Sequence, residues 1–180
     1  MRYSSVFCAL WFFFGGLFSG STLWAADLIG ESSFAEVVSV AQQFGEAKLV
    51  TEKGNEPYFE GKINDILYSG LFRDCNDEHS ACTTLTLRAV YEVEGAQLPK
   101  INEHNDTTKC GKLYLSDNNQ YLVFDYFLTL EGGLSQTNLK SAFEWFVLGL
   151  KDVNQVLSNG QSLGHRLGQS ILEKARERLR

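Results

Sequence analysis

The sequence predicts an α+β domain whose helices cover one face of an antiparallel sheet, in the order α-β-β-β-β-α-β-β-α. Three observations carry this. Short runs rich in β-branched and aromatic residues recur between turn residues, and links that short join antiparallel neighbours. Residues 33–44 and 136–157 carry apolar side chains at helical spacing. The chain has 180 residues, 44% hydrophobic and 21% charged, which suffices for one domain with its own core.

The elements follow in order. Phe34, Val37, Val38, Ala41 and Phe44 share one helical face, and Gly45 stops that helix. Four strand-like runs come next, over 47–51, 58–63, 66–72 and 83–92, with turns at Lys53-Gly54-Asn55 and Asn64-Asp65. In the fourth, Leu85, Leu87, Ala89 and Tyr91 alternate with Thr84, Thr86 and Arg88. Residues 98–109 read as a polar helix with Pro99 near its start. A hairpin follows, 112–115 and 120–130, around Ser116-Asp117-Asn118-Asn119; its second strand puts Leu122, Phe124, Tyr126, Leu128 and Leu130 on one face. Gly132-Gly133 breaks that strand. Ser135 then caps the longest helix, over 136–157.

The N-terminus places the chain. Met1-Arg2 precedes an almost purely apolar run from Val6 to Phe18, and Leu23-Trp24-Ala25 offers a small residue for cleavage. Residues 1–25 therefore read as a signal peptide, which makes the mature protein periplasmic or secreted. The rival reading is an uncleaved inner-membrane anchor, because the apolar stretch is long enough to span a bilayer. Residues 26–157 form the domain, with 10 Lys+Arg against 20 Asp+Glu; residues 158–180 form a basic, partly helical tail, with 5 against 2. An acidic body, in a chain whose net charge is −6, argues against nucleic acid as a partner.

Export implies an oxidising compartment. Cys75 and Cys82 flank the polar loop 76–81 between two strand-like runs, a placement that suits a disulfide. Closing so short a loop stabilises by about 2.5 kcal/mol in the chain-entropy account. Cys110 is then unpaired.

Further along, Ile101-Asn102-Glu103-His104-Asn105-Asp106-Thr107-Thr108-Lys109 precedes Lys112-Leu113-Tyr114-Leu115-Ser116-Asp117; a strand ending in Gly132-Gly133-Leu134-Ser135 and a helix carrying Trp145 come after. Taken together over about residues 33–157, these segments resemble the YbjN family, with its N-E-W-N-x-T-x-R and G-x-A-Y-L-D stretches. The paired cysteines before a strand fit many of its exported members. The resemblance implies a regulator of bacterial sensory transduction. It also implies a fold similar to type III secretion chaperones, small α+β dimers that bind other proteins without catalysis. Two residues depart from the pattern: His104 stands where the family usually has Trp, and Cys110 where an aromatic is common.

Reactive constellations are few. Cys75, His79 and Cys82 are soft metal-ligand types, with Asp77 or Glu78 as oxygen donors, although a plain disulfide accounts for the cysteines in an exported chain. Asp74, Asn76 and Glu78 alternate like a calcium loop but lack Gly at the sixth place and an acid at the twelfth, where Leu85 falls. His104 with Glu103 and Asp106 suggests an acid–base group only if the three converge in a cleft; the alternative is an exposed polar helix whose Asn102 and Asn105 bond nearby backbone. There is no Gly-x-Ser-x-Gly elbow and no Gly-rich phosphate loop. No cofactor and no resident metal are therefore expected. In the tail, Leu163, Leu167, Ile171, Ala175 and Leu179 lie among arginines, a pattern suited to weak contact with an anionic membrane surface.

The long helix carries apolar residues off its core stripe. With Leu139 as origin and about 100° per residue, Trp145, Leu148 and Val156 point well away from Phe143, Phe146 and Leu150. Either the first helix covers this second surface, or it is an interface for a protein partner or a second copy. The sequence reading is thus a non-enzymatic exported binding, chaperone-like or regulatory module, homodimeric or partner-bound through Trp145, Leu148 and Val156. A periplasmic metal- or thiol-redox-linked enzyme using Cys75, His79 and Cys82 is the alternative.

Overall fold

A computed structural model describes residues 28–93, 98–108, 111–116 and 119–158. The expectations for residues 1–25, for Cys110 and for the tail beyond Ser158 fall outside the described residues. The elements are α1 (Phe34–Ala41), β1 (Glu46–Val50), β2 (Tyr58–Ile63), β3 (Ile66–Cys75), β4 (Cys82–Glu92), α2 (Leu98–Thr107), β5 (Lys112–Ser116), β6 (Tyr121–Thr129) and α3 (Gln136–Ser158). The fold is α+β, in the order that the sequence predicts.

The six strands form one antiparallel sheet in the order β1-β2-β3-β4-β6-β5. The crossover at β6 follows from composition. Leu122, Phe124 and Tyr126 are buried along this nine-residue strand, as is Val123 on its other side, so it gains most from a neighbour on both edges. Five-residue β5 takes the edge.

All three helices lie on one face. Phe143 of α3 faces Phe59 at 6.5 Å between ring centroids, Phe146 stacks on Phe124 at 5.7 Å and meets Tyr68 at 5.4 Å, and Phe34 of α1 meets Phe72 at 4.6 Å. Each fully buried aromatic contributes on the order of 2 kcal/mol from area alone. The sheet makes room for two of them with glycines. Phe59 pairs across the ladder with Gly70, and Gly61 with Tyr68. A Cβ on Gly70 would lie 1.9 Å from the Phe59 ring, and one on Gly61 would lie 2.3 Å from Tyr68.

Two helix ends repay comparison with the expectation. Ser135 caps α3 as predicted, its Oγ accepting the Asn138 N–H at 3.1 Å. α1 ends at Ala41, and Gln42–Phe44 form a turn instead of a further helical turn. The cause is tertiary: Gly45 enters β1 so close to β2 that a Cβ there would lie 2.1 Å from the Lys62 carbonyl oxygen.

Candidate functional site

The first candidate is the outward side of α3. Trp145 is 53% exposed and Leu148 46%. They sit three residues apart, hence adjacent on the helix surface. α1 does contact α3, yet it leaves both side chains in solvent. Val156 departs from the expected patch. It is half-buried and packs against the core. The wheel treats the helix as isolated, whereas α1 and α2 both pack beside α3 and narrow its free strip.

The second candidate is the tip of the β3–β4 hairpin. Cys75 and Cys82 are directly opposed in the ladder and form a disulfide. The loop between them is shaped by Asn76, whose Oδ1 accepts the Ser80 N–H at 2.9 Å and the Ala81 N–H at 3.3 Å. Beside the disulfide lies an acid that sequence spacing does not suggest. Glu56, from the segment before β2, bonds Arg73 of β3 through Oε2. The Cys75 sulfur, a His79 ring nitrogen and a Glu56 carboxylate oxygen all lie within 4.8 Å of one another. Asp77 and Glu78, the oxygen donors suggested by proximity in sequence, are exposed and are not part of this cluster.

The third region is the sheet face that the described helices leave uncovered. One cross-strand row runs through all six strands as Lys48, Glu60, Ser69, Arg88, Asp125 and Lys112. At its centre Arg88 donates to Asp125 through Nε and Nη2, both at 2.7 Å, and Tyr114 donates to the same carboxylate at 2.9 Å. Burial, reinforced by the Asp125 charge against the opposing pull of Arg88, pushes the Tyr114 phenol up to about 12. This fork geometry fixes β4, β5 and β6 to one another. Beside it Phe127 is 64% exposed. The sequence shows these residues as alternating polar positions; which of them meet depends on strand order.

The N-E-H-N segment of α2 is structural. Asn105 bonds β5 in both directions: its Nδ2 donates to the Leu113 carbonyl at 2.8 Å and its Oδ1 accepts the Leu113 N–H at 2.9 Å. The side chain thus stands in for a strand partner at the sheet edge. Glu103 and Asp106 are exposed while His104 is buried at 5%. The three do not converge, and the surface-helix alternative also fails at His104. Its ring meets Phe124 edge-on at 6.3 Å, and Nε2 is buried with no hydrogen-bond partner among the described residues. Burial holds its pKa below the ordinary histidine value, against the opposing charge of Asp152 on α3. A sequence signal for this burial is Ile101, three residues earlier on the same side of the helix.

Among the described residues no helix is long and apolar enough to cross a membrane.

Residues 33–157 match the family described as "Putative bacterial sensory transduction regulator". No curated protein matches the chain. A solved structure that is similar, titled "Crystal structure of an uncharacterized protein from Methanothermobacter thermautotrophicus", shares 8% identity, with a TM-score of 0.41, over 67% of this chain and 94% of that one.

Proposed function

This chain belongs to the YbjN family, and from that premise we propose that it is an exported, non-enzymatic module that regulates by protein–protein contact through α3. The observation that carries the proposal is the exposed pair Trp145 and Leu148. An indole and an isobutyl group side by side are contact chemistry, of the kind that anchors interfaces, and among the described residues none covers them. A second copy of the chain is the simplest occupant, since like patches on two copies are self-complementary about a twofold axis.

A photo-crosslinking residue at position 148, compared with one at Thr129 on the opposite sheet face, tests this. The proposal predicts a discrete adduct from position 148, at twice the chain mass for self-association, and little from position 129. Equal yields from both positions would contradict it. Export is tested separately by intact mass, with the mature chain expected to begin at Ala26; retention of Met1 in the membrane fraction would favour an anchor instead.

A further inference from the structure

We propose that the β3–β4 hairpin tip is a redox-gated site for a thiolate-binding divalent cation of the zinc class, with Cys75, Cys82, His79 and Glu56 as its four ligands. This inference is independent of the contact role assigned to α3.

Three donors of the right types share one locus, and a fourth, the Cys82 sulfur, is one bond away from it. The Cys75 sulfur, a His79 nitrogen and a Glu56 oxygen are mutually within 4.8 Å, and the Cys82 sulfur is bonded to that of Cys75. Two sulfurs, one imidazole and one carboxylate make a tetrahedral zinc set. A second observation is the Nδ1 of His79, buried and without a hydrogen-bond partner among the described residues. Buried polar nitrogens without partners are uncommon, and a metal bond would satisfy this one. Glu56 comes ready oriented: Arg73 donates to its carboxylate, which supplies the outer partner that metal-binding carboxylates need. The charges also close. Two thiolates and one carboxylate balance a divalent cation together with the Arg73 guanidinium.

The disulfide is the gate. Thiolates, not disulfide sulfurs, bind zinc, so the oxidised hairpin lacks two of its four ligands. A dithiol reductant transfers two electrons to the Cys75–Cys82 bond, giving two thiols while the dithiol closes to its own disulfide. The cation then displaces both thiol protons to solvent and takes the two sulfurs. Its charge stabilises the thiolates against reoxidation, so metal and disulfide are mutually exclusive links across the same pair of strands.

The test uses the full chain in mild detergent, reduced with a phosphine, desalted without oxygen and titrated with zinc or cobalt. The reduced chain is expected to take up one zinc and to show a thiolate-to-cobalt charge-transfer band, while the oxidised chain shows neither. His79→Ala and Glu56→Gln should each weaken binding about tenfold or more, with circular dichroism unchanged. Cys110→Ser should bind as the parent does. The proposal is overturned if the reduced, folded chain takes up no zinc, if the oxidised chain takes up as much, if His79→Ala binds as tightly as the parent, or if Cys110→Ser abolishes binding. If reduction unfolds the protein, zinc should restore the fold; failure to do so also overturns the proposal.

Discussion

Replacing His104 with phenylalanine keeps a ring against Phe124 and removes the buried Nε2 that has no partner among the described residues. An unsatisfied buried polar atom costs about 1–3 kcal/mol, and the slightly larger ring takes some of that back. The expected net effect at about pH 7.5 is a stabilisation of roughly 1 kcal/mol. The pH dependence is the sharper readout. Burial depresses the native pKa of His104, and the charge of Asp152 opposes that shift. Below the ordinary histidine value of about 6.5 the unfolded chain therefore binds a proton that the native chain does not. Wild-type stability from this group is intact above that value. It is lost as pH falls from there toward the lower native pKa, by up to about 1.4 kcal/mol per pH unit. Phenylalanine cannot titrate, so the advantage of His104→Phe should widen on acidification. Urea unfolding of both proteins from about pH 7.5 to 5 measures the difference directly, because contributions from other groups cancel. A difference that stays constant or narrows as pH falls would mean that native His104 is charged or partnered, and the reasoning would be wrong.

Two further changes probe the frame that carries the α3 surface. Gly149→Ala adds about 1 kcal/mol of helix propensity, but its Cβ would lie 2.3 Å from the Phe124 ring, which Phe146 stacks against; the variant should be less stable by about 1–2 kcal/mol, and a raised Tm would show that Phe124 has room to move. Cys75→Ala with Cys82→Ala should cost about 2.5 kcal/mol in urea unfolding under oxidising conditions, with no loss relative to the parent under strong reductant in the absence of metal; an equal deficit in both conditions would assign the effect to packing of buried Cys82 instead of the link.

The element order was legible because periodicity is a local property. The alternation at Leu85, Leu87, Ala89 and Tyr91 and the helical spacing of Leu139, Phe143, Phe146 and Leu150 each need only a dozen residues to show. What escaped the sequence is long-range. Arg88 meets Asp125 only because β6 inserts between β4 and β5. Glu56 reaches the cysteine hairpin through Arg73, 17 residues away. Polarity misled at both ends of the scale. His104 sits in a polar stretch yet is buried by the side of α2 that Ile101 shares, and Val156 is apolar at an outward wheel angle yet packs inward. Both follow from neighbours that a single-helix projection does not contain. Of the expected contact residues, Trp145 and Leu148 are the exposed pair.

The most direct test of the account is the mass of the folded protein in solution, measured by light scattering for the parent and for Leu148→Glu. Leu148 is 46% exposed, so a charge there should change monomer stability by no more than about 0.5 kcal/mol. In the centre of an interface the same charge should weaken association by about 2 kcal/mol or more. The account predicts a parent of twice the chain mass that falls to the single-chain mass in Leu148→Glu, with unchanged circular dichroism. A parent that is a folded monomer, or a variant that associates as the parent does, would contradict α3 as the self-association surface.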